Sequence, residues 1–430
     1  MKSKCTVILL TLLLTAILSV RAQAAPVRKK IAIEAGKIIT ISGKEITNGI
    51  ILIEDGKIKA VGKKADIPWD AFVIEAKNQV VMPGFVLAHT SRGLDSSNER
   101  IPGVPFLSTF DAIDPMQAFF EDSLRDGVVA MLILPGNNTL LGGTGTVVKP
   151  YGRIVEEMLI KRYTGLKISL QPTGGTSRMG HMQRFRRYMA DLKTYKTQFD
   201  QRKADATAAK KPFDEEIDLR KQPVFDLLER KLRAFIYCAK AADVIKALEI
   251  QETHKFDTVL VLSPDCYKAA PLIAKKKLRV ILDPQLIAWE TDEQTQTEQM
   301  KVIPQIMQKA GVKFAFQTDT SQYGTRYLWY QAAQAVKYGV KREEALKAMT
   351  LYPAQFIGVD DRFGSIQPGK DASLIFLTGD PLDAQTWVDK VMISGEIIYE
   401  KAKDLRLRKL LDIPKSAARK KEDDTSKADS

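Results

Sequence analysis

From about Pro83 to Gly364 the chain alternates short apolar runs with helical stretches, and no other feature constrains its fold as much. The runs are Gly84 to His89, Val128 to Leu134, Leu166 to Leu170, Ala234 to Cys238, Thr258 to Leu262, Leu278 to Leu282 and Val312 to Phe316. Strands that alternate with helices argue for a parallel sheet with crossover helices. Seven or eight of them over about 280 residues fit a closed (β/α)₈ barrel.

Both flanks of this region read as short strands. Ile31 to Ile41 and Gly49 to Val61 are rich in Ile, Val and Ala, and Asp55-Gly56 sits between apolar runs as a hairpin turn. Near Gly364 the strands return, in Ala372 to Leu377 and in Val391 to Tyr399 around Ser394-Gly395-Glu396. Flanks of this kind most simply pair into one small domain. Residues 178 to 233 follow a different pattern. Arg184, Arg186, Arg187, Lys193 and Lys196 alternate with Phe185, Tyr188, Met189, Leu192 and Tyr195 at helical spacing, with one apolar face. This predicts a helical insertion between two barrel strands, with Ala204 to Lys211 as a loop or weak helix. The apolar stripe reads as packing.

Composition narrows the chemistry. The 430 residues include only three His and three Cys. Ordinary apolar content excludes disorder as the overall state. Too few cysteines remain for a disulfide scaffold, and any site built on four histidines is excluded. The net charge of +13 is local, confined to residues 1–24, 178–233 and 401–430, while the rest of the chain is neutral. With no aromatic-interleaved basic motif, these are solvated faces, and nucleic-acid binding is not expected.

Residues 1–24 join Lys2 and Lys4 to an apolar run from Val7 to Val20 and then Ala22-Gln23-Ala24. This is the three-segment pattern of a cleaved secretory signal peptide, with cleavage near Ala24/Ala25. The expectation is a periplasmic or secreted protein with no membrane span in the mature chain.

Asn48 to Gly62 and, twenty residues on, Met82-Pro83-Gly84-Phe85-Val86-Leu87-Ala88-His89-Thr90-Ser91 resemble the amidohydrolase superfamily. So do Gly339 to Thr350, Pro353-Ala354, Gly364 to Ala372 and Gly379-Asp380-Pro381-Leu382, in order and spacing. Asp111 to Pro115, Gly127 to Val129, Leu134 to Gly136, Leu141 to Gly143 and Thr176 to Gly180 resemble exported imidazolonepropionase-like members. The resemblance implies an α/β chain: a (β/α)₈ barrel with a small composite β-sandwich formed by both chain ends. The chain would then divide into a signal peptide (1–24), an N-terminal sandwich segment (25–82), the barrel (83–364), a C-terminal sandwich segment (365–402) and a charged, disordered tail (403–430). The resemblance also implies hydrolysis of carbon–nitrogen bonds, as in cyclic amides, by water on one or two divalent ions, zinc being the usual one.

The family's ligand positions are then matched one by one. The first strand of relatives ends in His-x-His; here it reads His89-Thr90-Ser91, and a hydroxyl is a poor substitute for imidazole. Beside the fourth strand, Lys167 is either a carboxylated bridging ligand or an ordinary surface or strand residue. Tyr237 and Ala239 stand at the fifth-strand histidine positions, and Leu262 at the sixth-strand position. Asp319 alone retains the family acid, which binds metal and shuttles the proton. Only His89 and Asp319 survive, and His181 and His254 read as surface residues. A catalytic zinc usually takes three protein ligands. The expectation is a metal-depleted, inactive member whose barrel mouth binds a small molecule, as a homo-oligomer or beside an active paralogue. The alternative is an active enzyme using His89, Asp319 and ligands placed elsewhere. Ser91 with His89 and Asp319 offers a weaker hydrolase triad, and the Gly-rich Leu141 to Thr146 reads as a structural loop.

Overall fold

The structure, a computed structural model, describes residues 30–319 and 324–411; the candidate leader and the end of the charged tail lie outside the described residues. Strands β1 (Lys30–Ile38), β2 (Ile46–Glu54), β3 (Lys57–Gly62) and β4 (Phe72–Pro83) open the chain. Their alternating apolar side chains, among them Ile31, Ile33, Ile51, Ile53 and Ile74, make one small core.

The barrel region carries β5 (Phe85–Thr90), β6 (Val128–Ile133), β7 (Leu141–Thr144), β8 (Thr146–Val148), β9 (Leu159–Lys161), β10 (Gly165–Ser169), β11 (Arg233–Cys238), β12 (Asp257–Leu262) and β13 (Arg279–Ile281). Next come an antiparallel ribbon, β14 (Ile287–Thr291) with β15 (Glu298–Val302), and the short β16 (Phe314–Ala315). The chain closes with β17 (Leu374–Leu377), β18 (Val388–Ile393) and β19 (Glu396–Glu400).

The two chain ends join through β4, which pairs parallel with β1 and antiparallel with β17. The result is one seven-stranded sheet, β19-β18-β17-β4-β1-β2-β3, where a sandwich would have two separate sheets. It rolls over its own core until its two hairpin turns meet. Asp55 and Gly56 adopt positive φ, as do Ser394 and Gly395. A Cβ on Gly56 would lie 2.4 Å from the Ser394 carbonyl oxygen, so only glycine fits that contact.

All seven apolar runs form strands of the barrel wall. The ladders make two sheets, β16-β13-β12-β11-β10-β7 and β5-β6-β8-β9. They join where β7 runs on into β8, both antiparallel to their neighbours β10 and β6. The expected Gly-rich loop is therefore strand. Its glycines let other chain approach closely: a Cβ on Gly143 would sit 2.7 Å from the Leu107 carbonyl oxygen. Below the mouth, the backbone at Ala348 and Met349 bridges β16 and β5, accepting bonds from Phe316 and Val86.

The insertion is a 31-residue helix, Arg178–Ala208, and a shorter one, Gln222–Leu228. The Ser177 hydroxyl caps the long helix by accepting from Gly180 N. Its Phe185, Met189 and Leu192 are buried while Arg184, Arg186, Arg187 and Lys193 are exposed, as the stripe predicted. The start of the expected disordered tail is ordered. Helix Leu405–Leu411 follows the buried Asp404, whose carboxylate accepts from Arg406 N, Leu407 N and the half-buried Arg125 guanidinium. Among the described residues no helix is long and apolar enough to cross a membrane.

Candidate active site at the barrel mouth

Side chains alternate along each strand, so the register fixes which residues face the barrel axis. Lys167 pairs with Phe235 and Ser169 with Tyr237. Tyr237 in turn pairs with Val261, and Cys238 with Leu262. Lys167 and Tyr237 therefore share the inner face, and Val261 stands beside them. Leu262 turns outward with Cys238 into the buried shell under the helices. The assignment of Leu262 to the sixth-strand ligand position is thus corrected by one residue: the inward place at the strand end belongs to Ser263.

His89 is buried, and both ring nitrogens are engaged. Nδ1 lies 2.9 Å from Gln317 Oε1, and Nε2 lies 2.6 Å from Lys167 Nζ. Because the Gln317 oxygen only accepts, the proton sits on Nδ1, and Nε2 accepts from the lysine. Burial, then the nearby Lys167 charge, hold the imidazole well below its ordinary range, against the opposing Gln317 bond. The ring is neutral.

Lys167 has no exposed surface. It is therefore a buried strand residue and not a surface one. Gly142 makes room for it, since a Cβ there would approach the Lys167 Cβ to 3.3 Å. Burial pushes its amine down to about 7, while Asp319 and then Cys238 oppose that fall. Its Nζ lies 5.7 Å from the centre of the Tyr237 ring.

Asp319 is partly exposed. It accepts from Thr90 Oγ1, from Ser91 N at 2.8 Å and from Ser91 Oγ at 3.2 Å. Burial raises its carboxyl above the usual range despite those bonds and the Lys167 charge. Ser91 thus serves the aspartate. It makes no hydrogen bond to His89, so the Ser-His-Asp triad is not assembled. Tyr237 is half-buried. Burial and Asp283 raise its phenol, and a bond from Ser263 opposes them. The carboxyl of Asp283, raised by burial, completes this side of the mouth.

Ala239 lies past the end of β11, where its backbone N–H donates to Asp243 Oδ2 at 3.1 Å. Asp243 caps the helix Ala241–His254 and pairs with Arg178 at 2.7 Å, which ties the Arg178 landmark to the fifth strand. His181 is not a surface residue: it is buried, with Nε2 2.9 Å from the Ser169 carbonyl oxygen. His254 ends its helix half-buried, stacked on Phe256 with ring centres 5.3 Å apart.

Gln317, Thr90, Ser263 and Asp283 were not singled out in the sequence. Period-two counting back from Asp319 would have flagged Gln317. Asp283, which follows the run Leu278 to Leu282, carries the same kind of strand-end signal.

These side chains do not fit a divalent ion. The His89 nitrogen that would face it already accepts from Lys167, and both Asp319 oxygens are occupied by hydroxyl and amide donors. Among the described residues no three His, Cys, Asp or Glu side chains converge for a metal. Tyr237, Ala239 and Ser263 supply no imidazole.

A sequence profile described as "Amidohydrolase family" matches residues 221–398. The crystal structure of an amidohydrolase from Thermotoga maritima MSB8 superimposes with a TM-score of 0.76 at 28% identity, covering 86% of this chain and 100% of that one. The structure of an adenosine deaminase from Xanthomonas campestris with bound zinc reaches 0.52 at 17% identity, covering 90% and 96%. The protein named "Amidohydrolase tasK" from Hapsidospora irregularis is 22% identical over 388 residues, 79% of this chain. This chain spans 39% of that relative's length.

Proposed function

We propose that this chain, a member of the amidohydrolase superfamily, binds a small polar molecule at its barrel mouth and does not carry out the metal-dependent hydrolysis of carbon–nitrogen bonds that its family resemblance implies. One observation carries the reading: the Lys167 amine stands 2.6 Å from His89 Nε2, where a metal would have to sit. It also lies close enough to influence the Asp319 carboxyl. The lysine takes over the cation's tasks in part: it donates to the imidazole lone pair, and below about pH 7, where it is protonated, it also offsets the carboxylate. Inserting a metal would break a buried hydrogen bond and displace a fully buried side chain. The imidazolonepropionase-like subtype belongs to this proposal and rests on the sequence landmarks quoted above. Export through residues 1–24 belongs to the same proposal and rests on the sequence pattern alone.

The test is elemental analysis of the purified protein after incubation with excess zinc and gel filtration. The reading expects far less than one equivalent, unchanged in His89→Ala. About one equivalent or more, lost in both His89→Ala and Asp319→Ala, would establish the alternative, an active metal-dependent enzyme.

A further inference from the structure

Between the helix Ala118–Arg125, the start of the helix Leu328–Lys337 and the sheet built from both chain ends lies a cavity of about 580 Å³, a size ordinary for a small-molecule site. None of His89, Lys167, Tyr237 and Asp319 lines it, so it stands apart from the barrel mouth. Its walls are rich in aromatic rings, with Tyr327 and Trp329 on the barrel side and Trp387 and Tyr399 on the sheet side. The faces of such rings carry partial negative charge and attract cations.

The charged groups around this cavity are matched, with one exception. Arg125 is held by Glu121, Asp122 and Asp404, and Arg406 pairs with Asp122 at 3.2 Å. The Arg326 guanidinium lies over the Tyr327 ring, 5.0 Å from its centre. Asp126 lines the same cavity half-buried, and among the described residues its carboxylate makes no hydrogen bond and no ion pair. Burial, then Asp122, raise this carboxyl to about 7, against Arg326 and Arg125. Asp126 is also the C-cap of the helix Ala118–Arg125, whose last carbonyls make that end partially negative. A half-buried carboxylate without a partner costs free energy that a matching cation would offset.

We propose that this cavity binds a small organic ammonium ion carrying an apolar or aromatic body, with the Asp126 carboxylate as its counter-ion. The ammonium donates to Asp126 while the body lies among the rings. An anion of the same shape would face the unpaired carboxylate, and Arg125 and Arg406 are already committed to carboxylates of the protein. The other charged groups facing Asp126 are Asp122 and Arg125 on its own helix, Arg326, and Asp404 and Arg406 across the cavity. No histidine lines the cavity, so Asp126 is the group whose charge changes between pH 6 and 8.

The test titrates the full-length purified chain with 2-phenylethylammonium at pH 8, where Asp126 is ionised, and follows the fluorescence of Trp329 and Trp387. The probe keeps its proton from pH 6 to 8, as an ordinary alkyl ammonium does. Saturable binding is expected, with a Kd of about 1 mM or tighter. Asp126→Asn keeps the side chain's shape and removes its charge, and should weaken binding at least about tenfold. In the wild type the affinity should fall about tenfold from pH 8 to pH 6, and the variant should lose that dependence. 3-Phenylpropionate, an anion of similar shape, should bind at least about tenfold more weakly. Circular dichroism checks the fold of the variant, while the pH and anion comparisons use the wild type alone. No saturation below about 10 mM, binding to the variant within about twofold of wild type, a flat pH dependence or equal binding of the anion would each overturn the proposal.

Discussion

Replacing Lys167 by Met gives the sharpest test of the reading that a lysine stands in the cation's place. The folded chain holds this amine at about 7 by burial, against 10.5 for an ordinary lysine. Between those values the unfolded chain keeps a proton that the folded chain has released. Stability therefore rises with pH across that window, and the penalty for burying the charge is fully present below pH 7. Each pH step carries about 1.4 kcal/mol, so the upper bound from pH 7 to 10.5 is about 5 kcal/mol. Relaxation around a buried amine reduces this, and we expect about 2–3 kcal/mol to remain. Lys167→Met removes the effect, because methionine fills similar space and does not titrate. It also leaves His89 Nε2 without a donor, at a cost of about 1–3 kcal/mol at every pH. The wild type should therefore be clearly more stable than the variant at pH 10, and the two should converge or cross near pH 6. Urea unfolding followed by tryptophan fluorescence, at fixed ionic strength and at pH 6, 7, 8, 9 and 10, measures this. Other groups titrate in both proteins and cancel in the difference. A difference constant within about 0.5 kcal/mol across that range would refute the buried, proton-releasing lysine.

Three further outcomes follow from the structure. The Asp126 carboxyl is raised to about 7, by burial first and then Asp122, against Arg326 and Arg125. A raised acid loses stability as pH climbs from about 4 to 7, so Asp126→Asn should stabilise the protein by about 1–3 kcal/mol at pH 8 and by almost nothing at pH 4. Equal effects at both pH values would contradict this. Leu262 is a 1% exposed side chain on the outer face of β12. Leu262→Ala should therefore cost about 2–5 kcal/mol in urea unfolding. In the background Ser91→His/Lys167→Met/Tyr237→His, which clears the lysine from His89, adding Ser263→His should raise zinc uptake by elemental analysis, and adding Leu262→His should not. The reverse order would overturn the strand register.

What the sequence determined by itself was local. Short apolar runs and period-two flanks are written in consecutive residues, so the seven strands, the hairpin turns and the helical insertion were legible without any long-range contact. The resemblance to the amidohydrolase superfamily then singled out His89 and Asp319, both at strand ends, where a barrel places its chemistry. What only the tertiary structure decided depends on pairing between distant segments. Lys167 became the central residue because Gly142 makes room for it and the register turns it inward toward His89, 78 residues away in sequence. The same register moved the sixth-strand position from Leu262 to Ser263, since a one-residue step along a strand reverses the face. The glycine run at Leu141 to Thr144 became strand because it pairs with the distant β10, and Gly143 there admits the Leu107 backbone closer than a side chain would allow. Facing direction and close approach are properties of pairs, and one chain read in order does not contain them.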